Sequence, residues 1–228
     1  MAAWNEEENV AVCMREALAF LRDATSDYEL ILVDDGSSDD TAGAARVVMA
    51  EDPEHVRVIS YSPNRGIGGA LKTGYAVASK DWVTWLPSDG QVPPEGLQNL
   101  FDIVEADPEI RVVTCTFPHR FEEADSLLRK VLSRGLRAFM WTATGVSREM
   151  DGISLFPREF LRAVPMKSET FFLNLELPIR AIRAGLKPGA ATMHIRPRMS
   201  GQSKVLNVKR IRLVAQETLR LGKELRLG

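Results

Sequence analysis

The feature that most constrains the fold is an alternation of short β-rich runs with helical patterns through the first 116 residues. The candidate strands lie at 28–33, 56–61, 82–86 and 111–116. Between them, apolar residues recur at helical spacing over 42–50, over 69–78 and after the two prolines at 93–94. Because parallel strands need long crossover connections, this order predicts an α/β fold with a mostly parallel sheet flanked by helices.

The rest of the sequence is less regular and more basic. An amphipathic pattern with interleaved arginine and lysine predicts a basic helix over 121–141. Further helices and one strand are predicted at 157–164 (helix), 175–184 (helix), 190–195 (strand) and 205–225 (basic helix). Near the start, Asn5 precedes three glutamates and a helical apolar pattern, which makes Asn5 the predicted N-cap of the first helix.

Length and composition exclude several classes of protein. The 228 residues, 45% of them hydrophobic and 26% charged, suffice for one sizeable domain. No run approaches the roughly 18 consecutive apolar residues of a membrane-spanning helix, and no basic-then-apolar leader is present, so neither spanning nor export is expected. Cys13 and Cys115 lie far apart without metal-ligand spacing, which argues against a disulfide framework or zinc site and favours a reducing cytoplasm.

The net charge of −2 conceals a strong asymmetry. Residues 1–110 contain 7 basic and 21 acidic side chains, whereas residues 111–228 contain 22 basic and 10 acidic ones. The two halves must therefore face different partners or neutralise each other. The basic half suits an anionic surface or a phosphate-bearing substrate, and a solvated helix face explains it equally well. Nucleic-acid binding is not expected, because no aromatic motif is interleaved with the basic residues.

Acidic residues follow two of the candidate strands. Asp34 and Asp35 come at the end of one strand, and Asp89 follows another in the same sense. Because open α/β sheets bind ligands at the carboxyl ends of their strands, these acids are predicted to line one crevice. Between them, the glycine-rich loop 64–69 precedes a helix, so a phosphate or nucleotide can approach its backbone closely. Its spacing matches neither the dinucleotide fingerprint nor the P-loop.

Five motifs in this order resemble family 2 glycosyltransferases. They are Asn5-Glu6-Glu7-Glu8-Asn9-Val10, Leu30-Ile31-Leu32-Val33-Asp34-Asp35-Gly36-Ser37-Ser38-Asp39-Asp40-Thr41, Asn64-Arg65-Gly66 with Ala70-Leu71-Lys72-Thr73-Gly74, Ser88-Asp89-Gly90-Gln91 with Pro93-Pro94-Glu95, and Arg198-Met199-Ser200-Gly201-Gln202-Ser203-Lys204. The last motif is similar to the R-x-x-G-x-S-K of dolichol-phosphate mannose synthases and bacterial polyprenyl-phosphate glycosyltransferases. The resemblance spans nearly the whole chain.

The resemblance implies a GT-A, Rossmann-like fold and an inverting transfer from a nucleotide-diphosphate sugar to a polyprenyl phosphate at the cytoplasmic membrane face. It assigns residues to three sites. The donor site contains Glu6, Asp34, Asp35, Gly66, Lys72, Ser88 and Asp89. The Mg²⁺ or Mn²⁺ site contains Asp89 and Gln91. The acceptor-phosphate site contains Arg120, Ser133, Arg134, Arg198, Ser203 and Lys204. The helix over 121–141 would lie on the membrane surface as a peripheral contact.

The acceptor decides whether a general base is needed. A polyprenyl phosphate oxygen is already ionised, whereas a sugar hydroxyl must lose a proton to a carboxylate, for which Asp151 and Glu176 are the candidates. Glu176 falls where the family places a carboxylate near the acceptor. A helix N-terminal acid favoured by the helix dipole is the alternative interpretation of Glu176.

Two departures from the family pattern bear on activity. Pro87 replaces the first aspartate of the usual D-x-D, which predicts weaker metal binding and leaves open an inactive, nucleotide-sugar-binding module. A transferase acting on a saccharide hydroxyl is a further alternative. The relatives also have a hydrophobic strand before the position of Ala2, so we expect the true start to lie upstream and a protein made from Met1 to be less stable.

The predicted organisation is one GT-A domain with a basic appendage. Residues 1–195 form the domain, with a nucleotide-sugar half over 1–116 and an acceptor half over 117–195. Residues 196–228 form a basic loop and C-terminal helix.

Overall fold

The computed structural model describes residues 1–117, 135, 138–146, 150, 152–196 and 208–227. The elements in chain order are β1 (Ala2–Ala3), α1 (Glu7–Ala24), β2 (Leu30–Asp34), α2 (Thr41–Glu51), β3 (Val56–Ser60), α3 (Gly66–Val77), β4 (Trp82–Val83), a 3₁₀ turn (Pro94–Leu97), α4 (Gln98–Ala106), β5 (Ile110–Thr116), β6 (Ser154–Pro157), α5 (Arg158–Ala163), α6 (Leu173–Arg183), β7 (Lys187–Thr192) and α7 (Val208–Leu227). Residues 138–144 are also helical.

The strands form two sheets that meet at β1. One sheet has the order β1-β2-β3 and is parallel throughout. The other has the order β4-β6-β5-β7, in which β6 is antiparallel to both neighbours and β7 is parallel to β5. A parallel bridge between Ala2 and Pro87 links them. The predicted α/β fold with a mostly parallel sheet is thus confirmed.

The central strand and the helices on the sheet share one hydrophobic core. Leu32 and Val33 of β2 are both buried, although neighbouring residues point to opposite faces, because helices cover both sides of a parallel sheet. On α1, Val10, Met14 and Ala17 recur at helical spacing and are buried. The helical pattern read from the sequence therefore marks the face that packs on the sheet.

The first helix begins one residue later than predicted. Its N-cap is Glu6, and Asn5 adopts a left-handed backbone conformation with φ of 54°. The Asn5 side chain accepts a hydrogen bond from the backbone N–H of Ser38, at 2.8 Å, instead of capping its own helix. The N-cap prediction for Asn5 was wrong because a loop distant in sequence provides a donor to its side-chain oxygen.

Several boundaries in the sheet also differ from prediction. Strand β6, at Ser154–Pro157, was not predicted, because four residues running directly into a helix show no clear period. Strand β7 covers Lys187–Thr192, earlier than the predicted 190–195. Most of the predicted basic helix over 121–141 lies outside the described residues.

A small second core holds α7 against the body of the protein. Met140, Val146, Phe172, Ile179 and Leu221 form this cluster. Within α7, Gly222 lies against the helical segment 138–144. A Cβ atom added to this glycine would lie 2.2 Å from the carbonyl oxygen of Ala143. The close approach of the two backbones therefore requires glycine at this position.

A cavity of about 460 Å³ separates β2 from the segment 82–86 beside the short strand β1. Its walls are mostly apolar and include Leu30, Leu71, Trp85 and Phe101. The hydroxyl of Thr84, in the cavity wall, has no hydrogen-bond partner among the described residues. Strand β4 ends at Val83 instead of the predicted residue 86.

Candidate active site

Strand β1 brings two acid-bearing turns side by side. Ala3 is in register with Asp34, and the backbone N–H of Asp35 donates to the carbonyl of Ala3 at 2.9 Å. On the other side of β1, the hydroxyl of Ser88 donates to the carbonyl of Ala2 at 3.1 Å. Because neighbouring strands lie about 4.8 Å apart, the two turns flank one strand at roughly 10 Å from each other. They share the carboxyl edge of the sheet, where open α/β folds bind ligands.

The aspartate that ends β2 and the one that follows it hold loops in place. The Oδ1 of Asp34 accepts from the backbone N–H of Ser37 at 3.1 Å and from its hydroxyl at 2.5 Å. The Oδ1 of Asp35 accepts from the Tyr61 hydroxyl and the Arg65 backbone N–H, both at 2.8 Å. Burial, and then the Asp35 carboxylate, raise the pKa of Tyr61, so its hydroxyl stays a donor. Both acids are buried and organise the crevice from within.

The start of α1 contacts the loop after β2. The backbone N–H of Glu6 donates to the hydroxyl of Thr41 at 2.9 Å, and the side-chain amide of Asn9 donates to the Glu6 carboxylate at 2.8 Å. Glu6 is half-buried at this junction. The structure therefore places Glu6 beside Thr41, at the end of the loop that follows Asp34 and Asp35, and its role in donor binding stays a prediction.

Asp89 lies in a tight, largely buried turn. Its side chain accepts from the backbone N–H of Gln91 at 3.1 Å. Gly90 between them has φ of 72°, a left-handed conformation that glycine adopts at little cost. The Cys13 thiol donates to the carbonyl of Ser88 at 3.5 Å, and burial raises the pKa of that thiol to about 11. Sequence reasoning missed Arg196, which also contacts this turn from the far end of the chain.

The space beside the glycines at the start of α3 is occupied by other parts of the protein. The backbone N–H of Gly68 donates to the carbonyl of Glu169 at 3.1 Å. A Cβ atom on Gly68 would lie 2.4 Å from the Glu169 carbonyl carbon. Lys72 forms an ion pair with the Glu169 carboxylate. A nucleotide could reach Gly66 or Lys72 at this place only after Glu169 moved.

Glu176 is engaged in the contact between α6 and α7. Its carboxylate accepts from the backbone N–H groups of Lys167 and Ser168, at 3.2 and 2.9 Å, and from Arg180 at 2.8 Å. Arg180 also pairs with Glu224 of α7 at 2.8 Å. With 2% of Glu176 exposed and both oxygens accepting, this geometry gives the residue a structural task. Its role as a base stays a prediction that the geometry does not favour.

Seven predicted site residues lie outside the described part of the chain. They are Asp151, Arg120, Ser133, Arg134, Arg198, Ser203 and Lys204. Their assignments to the acceptor site, and that of Asp151 as a base, stay predictions.

The oxygen donors near Asp89 fit a metal that the substrate helps to hold. Within the described residues, no group of three or more histidine, cysteine, aspartate or glutamate side chains could enclose a cation. Mg²⁺ commonly takes one or two carboxylates and completes its shell with water and substrate phosphates. Asp89 alone meets that requirement, and the Gln91 side chain, two residues later, stays a predicted further ligand.

Comparison with known proteins agrees with this architecture. The sequence profile described as "Glycosyl transferase family 2" matches residues 1–164. The chain belongs to glycosyl transferase family 2. The expected family membership is thereby confirmed.

Curated relatives of this family 2 glycosyltransferase include two bacterial enzymes. The undecaprenyl-phosphate 4-deoxy-4-formamido-L-arabinose transferase of Yersinia enterocolitica is 31% identical over 213 residues, which cover 92% of this chain and 63% of the relative. The enzyme of the same name from Photorhabdus laumondii is 35% identical over 162 residues, which cover 71% of this chain and 47% of that protein. The chain thus spans less than two thirds of the length of these relatives.

Solved structures of another transferase share the fold. Glucosyl-3-phosphoglycerate synthase from Mycobacterium tuberculosis, in complex with Mn²⁺, uridine diphosphate and phosphoglyceric acid, superposes with a TM-score of 0.71 and 19% identity, covering 98% of this chain and 76% of that one. The complex with Mg²⁺ and uridine diphosphate gives a TM-score of 0.68 at 20% identity, covering 98% of this chain and 76% of that one. The likeness confirms the expected GT-A fold.

Proposed function

We propose that this chain is the catalytic part of an inverting glycosyltransferase that moves a sugar from a nucleotide-diphosphate sugar to a polyprenyl phosphate. The observation that carries the transferase chemistry is the pair of acid-bearing turns that β1 aligns at one sheet edge. The acceptor class is supported by the names of the undecaprenyl-phosphate relatives, one of which aligns over 92% of this chain.

The described residues would bind the donor from two sides. Glu6, Asp34 and Asp35 shape the side that receives the nucleoside, and the turn with Ser88 and Asp89 faces the diphosphate. Asp89 and Gln91 would hold Mg²⁺ or Mn²⁺. When bound, this ion compensates the negative charge that accumulates on the leaving diphosphate.

The acceptor phosphate would attack without a general base. An ionised phosphate oxygen forms a bond to the anomeric carbon from the face opposite the diphosphate, the bond from that carbon to the diphosphate breaks, and the nucleoside diphosphate leaves. The configuration at the anomeric carbon is inverted. This route needs no proton transfer to a carboxylate, which agrees with the buried, fully hydrogen-bonded Glu176.

A peripheral contact with the membrane's inner face accompanies this acceptor. Four basic residues lie on the exposed side of α7, namely Arg212, Arg220, Lys223 and Arg226. Leu219 of the same helix is 57% exposed and Trp141 is 55% exposed. Exposed apolar and aromatic groups among basic ones suit an anionic lipid surface. No helix in the described ranges has both the length and the apolarity to cross a bilayer.

The function is tested by supplying donors and acceptors to the purified chain. UDP- and GDP-sugars with Mn²⁺ would be incubated with either a short polyprenyl phosphate or simple saccharides. We expect product on the lipid phosphate, its loss in Asp89→Asn, and parent-like turnover in the control Asp23→Asn, whose exposed side chain lies on α1. Product on saccharides alone would favour the hydroxyl-acceptor alternative. No turnover despite nucleotide-sugar binding would favour the binding module.

The substitution Pro87→Asp tests how much the missing carboxylate matters. A second carboxylate two residues before Asp89 is expected to tighten Mn²⁺ binding about tenfold in the presence of UDP, since a charged oxygen ligand replaces water. Calorimetry of both proteins measures the change. Unchanged affinity would show that Pro87 does not occupy the metal-facing position.

A further inference from the structure

Arg196 connects the Asp89 turn to two distant parts of the chain. Its guanidinium donates to the carbonyl of Gly90 at 2.5 Å and forms an ion pair with Glu16 of α1. Its own backbone N–H donates to the carbonyl of Gln91 at 2.9 Å. One residue thus contacts both positions that follow Asp89, through side chain and backbone together.

These contacts oppose the ways in which the turn could open. The hydrogen bond from Gln91 to the Asp89 carboxylate fixes the side chain only while the Gly90 peptide keeps its orientation. Gly90, whose φ is 72°, has the greatest freedom to rotate in this turn because it has no Cβ atom. The Arg196 guanidinium accommodates the Gly90 carbonyl and the Glu16 carboxylate at once, since it offers several donors in a fixed plane.

The ion pair between Arg196 and Glu16 is partly shielded from water. Arg196 and Glu16 keep 35% and 32% of their side chains exposed. The other end of the turn is fixed by Ser88, which receives the Cys13 thiol and donates to Ala2. The Asp89 turn is therefore held between α1, β1 and Arg196.

We propose that Arg196 is a positioning residue that sets the Asp89 turn in the geometry required for metal binding. This inference rests on the proposed function, because it assigns the metal to Asp89. Arg196 acts through the Gly90 and Gln91 peptides. It also lies two residues before Arg198, so the chain that leaves this anchor leads into the predicted acceptor-phosphate motif.

The test compares Arg196→Ala, Arg196→Lys and Glu16→Gln with the matched control Arg15→Ala. Arg15 is the neighbour of Glu16 on α1 and forms an exposed ion pair with Glu51, away from the turn. Hydrogen exchange of the backbone over 86–92 is measured without metal, and Mn²⁺ affinity is measured by calorimetry with UDP.

Arg196→Ala is expected to accelerate exchange in this peptide and to weaken Mn²⁺ binding about tenfold, the usual size of a lost hydrogen bond to a charged group. Arg196→Lys should restore slow exchange and Mn²⁺ affinity only in part. Lysine keeps the positive charge, but it has no planar fork to satisfy both acceptors. Glu16→Gln should have a smaller effect than Arg196→Ala, and Arg15→Ala should match the parent.

Parent-like exchange in Arg196→Ala would overturn the inference whether or not metal binds. Faster exchange with parent-like Mn²⁺ affinity would overturn it as well, since the turn would then not need to be held. A parent protein that takes up no Mn²⁺ with UDP would contradict the proposed function, and the exchange comparison would still decide whether Arg196 holds the turn. If Arg196→Ala fails to fold, Arg196→Lys and Glu16→Gln decide the same question.

Discussion

The buried carboxylate of Glu176 shows how one residue can match a family position and still serve the fold. It accepts two backbone N–H groups and Arg180, and that arginine in turn binds Glu224 on α7. Nearby, the hydroxyls of Ser168 and Thr170 both donate to Glu217, at 2.7 Å. The loop at 167–170 is thereby tied to the C-terminal helix by charge-assisted hydrogen bonds.

Glu176→Gln is expected to lower stability by about 1–3 kcal/mol, because an amide cannot accept at both oxygen positions and leaves Arg180 short of a counter-charge. For a chain of this length, the midpoint of thermal unfolding should fall by roughly 3–10 °C. The control Glu159→Gln removes an ion pair whose acid is 77% exposed and should change the midpoint little. An unchanged midpoint combined with lost turnover would instead assign Glu176 to catalysis.

At the scale of elements, the packing of α7 reverses the usual preference for alanine within a helix. Gly222 lies inside α7, where helix propensity alone favours alanine by about 1 kcal/mol. The backbone of Ala143 occupies the space that a methyl group would need. Neither backbone can shift without separating α7 from the segment 138–144.

Gly222→Ala is therefore expected to destabilise the protein by about 1–3 kcal/mol. The matched control is Gly74→Ala in α3, where an added Cβ would meet the Val33 side chain at an ordinary 3.5 Å. The control should be neutral or slightly stabilising. Urea unfolding of both variants measures the difference, and equal stabilities would contradict the close approach of the two helices.

At the scale of the whole molecule, the charge asymmetry of the sequence is partly neutralised by contacts between its halves. Lys187 pairs with Asp107 and Glu109, Arg196 pairs with Glu16, and Arg158 lies 3.5 Å from Asp81. Each of these pairs joins a basic residue after position 110 to an acidic one before it. On α7, Arg212 and Lys223 are basic residues that stay exposed.

The junction between the two sheets leads to a prediction about stability. The Met1 amine donates to the Ile31 carbonyl at 2.6 Å. Successive residues of β2 direct their backbone groups to opposite sides of the strand, so the Ile31 N–H points to this same side, toward the cavity. An engineered extension of four or five strand-forming apolar residues before Met1 could pair with β2 and fill the cavity. We expect it to raise the unfolding midpoint by several degrees over an equally long Gly-Ser extension, because apolar burial contributes roughly 1.5–3 kcal/mol per side chain. Equal midpoints would show that the added residues neither pair with β2 nor fill the cavity.

The sequence by itself determined the α/β order, the family and the position of the acids after their strands. These properties follow from local periodicity and from motifs of consecutive residues, which a linear reading can detect. It also indicated a glycine-rich loop before α3, but not which group occupies the space beside those glycines. Whether a glycine admits a phosphate or a protein backbone depends on residues about a hundred positions away, as Gly68 and Glu169 show.

Only the tertiary structure decided which charged and polar groups are free to act. Glu176 is occupied by Arg180 and two peptide groups, Asn5 binds a distant loop, and Arg196 reaches back to the Asp89 turn. Such pairings cannot be read from composition or spacing, because the same side chain is a ligand, a cap or an ion-pair partner according to the neighbour that folding brings to it. The physical reason is that burial makes an unpaired polar group costly, so the fold, and not the local sequence, selects each partner.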